Sequence, residues 1–439
     1  MKTTIYALST PPGRSGVAVI RLSGDRVGMV LDKLTRGRRP EPRQASVRKL
    51  SNQAGEIFDE ALVLYFEKPA SFTGEDVAEL QVHGGPAVVE ATLSALDELG
   101  CLVAQPGEFT RRAFEHGRLD LTEAEGLADL IDAETEAQRR QAISQMSGSL
   151  KALYEGWRSK LISVLASIEG EIDFPDEEDV PDALSHRAHL PLTELIASMG
   201  EHLDDGRRGE RIRTGFSIAL IGAPNAGKSS LLNKLARRDA AIVTDIPGTT
   251  RDIVEVRIVM GGFPVVISDT AGLREAVDAV EAEGVRRALD RAVEADLRIG
   301  VADARSDEEL LDLQERLQDG DLLVLNKMDL VEKKKAERDG YGLSAKSGDG
   351  VSELERRIEE IVVDRLSARE MPALSRVRHR RSVEEAVDSL IRARLKLAEA
   401  PELAGEDVRL AVRCTEALTG RVDVEDILDR VFSQFCIGK

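Results

Sequence analysis

The sequence predicts a multidomain protein of mixed α+β and α/β class. It has an N-terminal α+β domain, an all-α helical domain and an α/β domain inserted into the helical one. Three changes of texture along the chain carry that expectation. Residues 1–118 hold strand-type runs at 4–8, 17–22, 61–66 and 77–82, broken by Pro-Pro-Gly and Gly-Gly-Pro, with one helical stretch at 87–99. From 119 to about 205 the apolar residues fall at helical spacing: Leu127, Leu130, Ile131 and Ala137, then Leu150, Leu161, Val164, Leu165 and Ile168. An acidic, proline-containing break interrupts them at 173–182, and helical spacing returns through Val383, Leu390, Leu395, Leu397, Leu410, Leu418 and Ile427. Between these flanks, SIALIG, PVVISD, LRIGVAD and DLLVLN read as short buried strands separated by helical segments, the pattern of a parallel sheet. The boundaries expected are 1–118, 119–213 for the first helical part, 214–370 for the insertion, and 371–439 for the second helical part, ending in CIGK.

A chain of 439 residues is too long for one ordinary core, which agrees with several domains. Asp and Glu number 79 against 60 Lys and Arg, so the net charge is −19 and a non-specific nucleic-acid coat is excluded. The first 50 residues reverse that balance, with eleven Lys and Arg against three Asp and Glu. No run of roughly 18 apolar residues suggests a membrane span, and the N-terminus has no signal-type apolar core. Cys101, Cys414 and Cys436 are odd in number and far apart, without metal-ligand spacing. A reducing, cytoplasmic location with neither disulfides nor zinc is expected.

The strongest chemical signal is GAPNAGKS at 222–229, which fits G-x-x-x-x-G-K-[ST] between a strand and an apolar helix. Gly222 and Gly227 let the loop close so that successive N–H groups face phosphate oxygens, and the helix start adds positive potential. Lys228 would reach the β- and γ-phosphates and Ser229 would ligate Mg²⁺. DTAG at 269–272 follows a strand, placing Asp269 to hold Mg²⁺ through water and Gly272 to donate its N–H to the γ-phosphate. In NKMD at 326–329, the Asp329 carboxylate can accept from the N1–H and 2-amino group of guanine, a pair of donors that adenine lacks. Asn326 and Lys327 would brace base and loop. Ser344, Ala345 and Lys346 would close over guanine, the Ala345 N–H facing O6. Together these motifs predict a GTPase. Its nucleotide-binding set adds Ala226, Ser230, Thr270 and Ala271 to the residues above. It also takes in Asn225 and the segment Thr244, Asp245, Ile246, Pro247, Gly248, Thr249 and Thr250.

Ras-like GTPases place a glutamine directly after the DxxG glycine to orient the attacking water. Leu273 stands there instead, so another group must do that work or hydrolysis is slow. Glu275, Asp278, Glu281 and Glu283 follow as candidates. The paired Thr249 and Thr250 allow one to take Mg²⁺ while the other serves elsewhere. Asn225, with carbonyls from 244–246, could hold a monovalent cation where other GTPases use an arginine finger. A polar surface loop is the plain alternative.

PPGRSGVAVIRLSG at 11–24, SFTGEDVAELQVHGGP at 71–86, PGEFTRRAF at 106–114, LDLTEAEGLADLIDA at 119–133, the GTPase motifs and the final FCIGK together resemble the MnmE (TrmE) family of bacterial tRNA-modification GTPases, over essentially the whole chain. The resemblance implies an N-terminal folate-binding, dimerising domain, a helical domain and an inserted Ras-like G domain. It implies a homodimer that forms a heterotetramer with an FAD-containing MnmG-type partner. The complex would modify C5 of the wobble uridine of certain tRNAs to the aminomethyl or carboxymethylaminomethyl type. The one-carbon unit would come from 5-formyl- or methylene-tetrahydrofolate. K⁺ would be held by Asn225, Thr244, Ile246 and Thr249, and Mg²⁺ by Ser229 and Thr250. Glu281 would orient water, and Arg21, Glu79, Arg118 and Lys439 would bind folate. Arg118 departs from relatives with lysine there but keeps the charge. Cys436 would be functionally important, with no role assigned. His83 reads as a hydrogen-bonding loop residue, and the RVRHRR run at 376–381 as a solvated helix start, with tRNA contact as its alternative. A GTPase switch in ribosome or RNA assembly, without modification chemistry, is the competing function.

Overall fold

The computed structural model describes residues 3–173, 184–238, 255–269, 295–331, 340–367, 372–422, 425–433, 435 and 438. The chain divides into two compact units, one of residues 1–128, 145–163 and 408–439, the other of 129–144 and 164–407.

In the first unit, strands β1 (Ile5–Leu8), β2 (Ser15–Ser23), β3 (Ser46–Ser51), β4 (Ile57–Phe66), β5 (Val77–Gly84) and β6 (Leu102–Val103) form one sheet in the order β3-β4-β5-β2-β1-β6. All neighbouring pairs are antiparallel except β1 with β6. Alternation along β2 and β5 sends Ala18, Ile20, Leu22, Leu80 and Val82 into the core. There the helices Val27–Leu34 and Pro86–Glu98 cover them with Val30, Leu31, Leu34, Ala95 and Leu96. Cys101 is buried in this core, and burial pushes its thiol up to about 11, against Arg26 and with Asp97 adding to the rise. It is a packing residue. The strand runs expected at 4–8, 17–22, 61–66 and 77–82 are present within β1, β2, β4 and β5. Strand β3 and the helix Val27–Leu34 were outside that expectation, because the basic residues around them mask the apolar period.

In the second unit, β7 (Phe216–Ile221), β8 (Glu255–Met260), β9 (Phe263–Asp269), β10 (Leu297–Asp303), β11 (Leu322–Asn326) and β12 (Tyr341–Gly342) give the order β12-β11-β10-β7-β9-β8. Only β8 runs antiparallel, at the edge, and its alternating pattern hid it from the search for continuous apolar strands. The helices Glu136–Met146, Leu184–Leu203, Arg208–Thr214, Val377–Lys396 and Pro401–Thr419 lie in the chain on both sides of this sheet. The sheet is therefore inserted in sequence between helical flanks, as the texture predicted.

The RVRHRR run opens the helix Val377–Lys396 as expected, but only Val377 and Arg381 are exposed. His379 and Arg380 are buried, and Arg380 bonds Asp205 at 2.9 Å, Glu210 at 3.2 Å and the Leu203 carbonyl at 2.6 Å. Arg376 reaches Asp129 at 2.8 Å, and the same carboxylate oxygen takes Arg213 at 3.0 Å. Each of these guanidiniums spans two helices far apart in sequence, which no local pattern reveals.

Candidate functional site

The phosphate loop is dictated by its crowding. Gly222 has φ of +144°, and a Cβ there would stand 2.1 Å from the Val301 carbonyl oxygen. Gly227 has φ of +102°, and its Cβ would meet the Asn326 side-chain nitrogen at 2.0 Å. Only glycine fits either position. Between them Asn225 is itself left-handed, with φ of +66°.

The loop opens the helix Lys228–Arg238. Lys228 is buried, its ammonium donating to the Gly222 and Ala223 carbonyls at 2.6 and 2.8 Å. Burial lowers its pKa below the ordinary lysine value, against the opposing pull of Asp269 and Glu309. A buried cation with neutral partners favours an incoming anion strongly. The Ser229 hydroxyl donates to the buried Asp269 at 2.5 Å, so the two oxygens expected at Mg²⁺ meet where β9 ends. A hydroxyl and a carboxylate fit the hard-oxygen preference of Mg²⁺. When bound, the ion would neutralise charge on the phosphates. Ser230 is exposed on the same helical turn.

One side chain ties three motifs together. Asn326 is buried at the end of β11, and its amide nitrogen donates to the Ala226 carbonyl of the phosphate loop at 2.8 Å. Its amide oxygen accepts the N–H groups of Lys327 at 2.8 Å and Ala345 at 2.9 Å. The Ala345 N–H, expected at guanine O6, here donates to Asn326. After the short β12, Ser344 and Ala345 are buried while Lys346 stays exposed. Asp329 stands exposed on a 3₁₀ turn, Met328–Leu330, directly after the end of β11.

Sequence reasoning missed Asp303, the last residue of β10. It accepts Lys327 at 2.9 Å and Arg305 at 2.7 Å. The bonds from Arg305 hold its carboxyl far below the usual range, burial opposing and Lys327 adding to the drop. Lys327 is left-handed, with φ of +64°, so this pair fixes both ends of the residue. The carboxylate closing LRIGVAD was the available signal.

Thr244, Asp245, Ile246, Pro247, Gly248, Thr249, Thr250, Thr270, Ala271, Gly272 and Glu281 lie outside the described residues, as do Cys436 and Lys439.

In the N-terminal sheet, Arg21 and Glu79 are direct cross-strand partners on β2 and β5, paired at 2.8 Å. Both Arg21 bonds go to one carboxylate oxygen, which leaves Oε2 of Glu79 outside the pair. The Arg21 guanidinium lies over the rings of Phe72 and Phe109, at 5.6 and 5.9 Å. Arg118 is exposed and lies against Gly74 in the loop that carries Phe72. Gly438 reaches the end of β1, its carbonyl accepting the Ser9 hydroxyl at 3.0 Å. Arg21, over Phe72, and Arg118, against Gly74, thus border the same loop, and Glu79 joins them through its pair with Arg21. His83 is on β5 and not in a loop, its ring nitrogen 2.7 Å from Asp59. Burial pushes the Asp59 carboxyl up, but hydrogen bonds from His83 and Glu60 outweigh it and leave it below the usual value.

Two family models match: the GTP-binding protein TrmE N-terminus over residues 4–118 and the MnmE helical domain over 121–436. A tRNA modification GTPase MnmE of Maricaulis maris is 75% identical over 440 residues, covering 100% of both chains. The chain belongs to the MnmE family of tRNA modification GTPases. MnmE proteins of Caulobacter vibrioides and Paramagnetospirillum magneticum are 53% and 51% identical, again over 100% of both chains. The MnmE match therefore spans the N-terminal sheet, the helices and the inserted nucleotide-binding sheet alike. A solved FeoB G-domain from Methanococcus jannaschii is 28% identical, covering 34% of this chain and 98% of its own, with a TM-score of 0.25. Among the described residues no helix is long and apolar enough to cross a membrane.

Proposed function

We propose that this chain is a K⁺-stimulated GTPase that hydrolyses GTP to GDP and phosphate. With an FAD-dependent MnmG-type partner, it would modify C5 of the wobble uridine of certain tRNAs using a tetrahydrofolate one-carbon unit. The observation that carries the nucleotide half is Asn326, whose two amide atoms brace the phosphate loop, Lys327 and Ala345 at once. With that frame rigid, Lys228 and the helix start bind the β- and γ-phosphates, Ser229 and Asp269 supply oxygens for Mg²⁺, and Asp329 selects guanine. Leu273 offers no hydrogen bond to water, and of the four acids that follow, the MnmE resemblance assigns that role to Glu281. K⁺ is assigned to Asn225, Thr244, Ile246 and Thr249, and the second Mg²⁺ ligand to Thr250.

The folate half is supported by Arg21 and Glu79. A pterin needs a carboxylate acceptor for its amino and ring N–H groups, and Glu79 has an oxygen outside its pair with Arg21. Arg118 and Lys439 suit the anionic tail by their charge, and Arg21 lies over the aromatic faces of Phe72 and Phe109. The domain reading is 1–118 for folate binding and dimerisation, 214–370 for the G domain, and 119–213 with 371–439 for the helical part. Two measurements test the whole. GTP turnover is expected to be faster in KCl than in NaCl, and equal rates would remove the cation assignment. A strain lacking this chain is expected to lose the wobble-uridine modification, and an unchanged modification profile would leave a GTPase switch without that chemistry.

A further inference from the structure

We propose that the helix Val27–Leu34, the loop that follows it and the β3–β4 turn form the surface on which this chain holds the phosphate backbone of tRNA. The inference rests on the tRNA reading above and adds to it a place. Within a chain of net charge −19, the first 50 residues carry eleven Lys and Arg against three Asp and Glu. The fold collects several of these cations. Arg26 and Lys33 are seven residues apart, two helical turns, so they share one face at a spacing of about 10 Å. With Arg36 they line a concavity of about 480 Å³, beside Ser51, Asn52 and Gln53 of the turn. Arg38 and Arg48 continue the basic strip, since the Arg48 Nε donates to the Arg38 carbonyl at 2.6 Å.

These cations are not consumed by acids. Arg26 donates to the Leu99 carbonyl and Arg36 to the Ser51 hydroxyl and Gly55 carbonyl. None of Arg26, Lys33, Arg36, Arg38 and Arg48 forms a salt bridge among the described residues. The acids nearby have other partners or stand at the edge: Asp25 pairs with Lys68 at 3.4 Å, Asp32 with Arg39 at 3.5 Å, Asp97 accepts from Tyr6, Glu98 is at the rim, and Glu56 faces Asn52. Guanidiniums tied to neutral carbonyls are held in place yet keep their full charge for an anion. A concave strip with a cationic rim over Met29, Val30 and Leu34, and without aromatic platforms, suits a sugar-phosphate backbone rather than unstacked bases.

The test uses the full-length protein and an unmodified tRNA transcript, with binding followed by fluorescence anisotropy between about 50 and 200 mM salt. The triple variant Arg26→Glu, Lys33→Glu, Arg38→Glu is expected to bind about 100-fold more weakly. Its salt slope should flatten by about 2, each lost phosphate contact contributing about 0.7–0.9. A control triple, Arg316→Glu, Arg356→Glu, Arg357→Glu, changes the net charge equally and should stay within about threefold. GTP turnover and thermal melting report whether either triple folds. If the first one does not, Lys33→Gln decides, since that exposed side chain has no bond to lose, and the slope should fall by about 1. Equal losses in both triples, or wild-type binding by the first, would overturn the surface while leaving the tRNA reading intact. A wild-type protein that holds no tRNA would bring down both.

Discussion

Replacing Asn326 with alanine isolates the contribution of one amide to nucleotide binding. The substitution removes three hydrogen bonds, to the Ala226 carbonyl and from the N–H groups of Lys327 and Ala345. Lys327 is half-buried and water can replace its bond. Ala226 and Ala345 are 1% and 3% exposed, so a carbonyl and an N–H are left unsatisfied in the interior. At about 1–3 kcal/mol for each such group, the expected cost is about 2–6 kcal/mol. Since the lost bonds hold the loop in its phosphate-binding shape, most of that energy should appear as weaker GDP and GTP binding, by roughly 30-fold or more. Asn326→Asp sharpens the reasoning. It keeps an acceptor for Lys327 and Ala345 but sets a second oxygen against the Ala226 carbonyl, so it should damage nucleotide binding while sparing the Ala345 side. Equilibrium titration with a fluorescent GDP analogue, alongside a thermal melt, measures both parts. Binding by Asn326→Ala within about threefold of wild type, with an unchanged melt, would refute the idea that this amide couples the three motifs.

Glu281→Ala is expected to lower GTP turnover by on the order of 10²-fold with nucleotide affinity nearly unchanged; a large affinity loss in the same titration would make the residue structural. Lys228→Met should weaken GTP binding by at least about 10²-fold. Without nucleotide it should melt no earlier than wild type, because burial disfavours the charged lysine in the folded state. As pH rises through the lowered folded-state pKa, that penalty disappears, so any advantage of the methionine variant should shrink in alkaline melts. Arg380→Met strands the carboxylates of Asp205 and Glu210 and should cost about 3–5 kcal/mol in denaturant titration, with Asp205→Asn recovering part of it. Asp59 has the opposite sign from Lys228. Its depressed pKa contributes stability that is present above the ordinary aspartate value and lost as pH falls through the folded value. An Asp59→Asn protein should therefore show a shallower loss of melting temperature in acid.

The nucleotide site was legible because its chemistry is local. A loop that must bring backbone N–H groups onto phosphates needs glycine at two fixed positions. Strand ends that read a base need short polar runs directly after apolar ones. Gly222, Gly227, Lys228, Asp269 and Asn326 all obey such rules, and the strands carrying them were recognisable from buried runs of four to six residues. The partners that orient these residues were not legible. Asp303 looks like the end of any strand until Lys327 is placed beside it, and Asn326 looks like a base contact until Ala226 and Ala345 close on it. The pairing of Arg21 with Glu79 depends on the register of β2 against β5, which an unaligned sequence does not specify.

The RVRHRR run shows most clearly where local pattern fails. Six residues with four arginines have the composition of a solvated or nucleic-acid-binding segment, yet Arg376 and Arg380 are consumed by Asp129, Asp205 and Glu210. The placement has a physical logic that composition cannot express. An inserted domain joins its host through two chain crossings, here the helix Arg208–Thr214 leading into β7 and the segment leading to Val377–Lys396. Arg213 on the first crossing and Arg376 on the second share one carboxylate oxygen of Asp129, while Arg380 on the second holds Glu210 on the first. Gly209 adds a backbone contact to the same junction: a Cβ there would stand 2.5 Å from the Leu374 carbonyl. Two crossings clamped to each other and to one acid cannot shift independently. A displacement of the nucleotide-binding sheet must therefore either break buried ion pairs, at several kcal/mol, or carry the attached helices along as one piece. Arg376 and Arg380, which read as surface charge, together with Arg213 are in this way the means by which the inserted sheet is mechanically joined to its helical flanks.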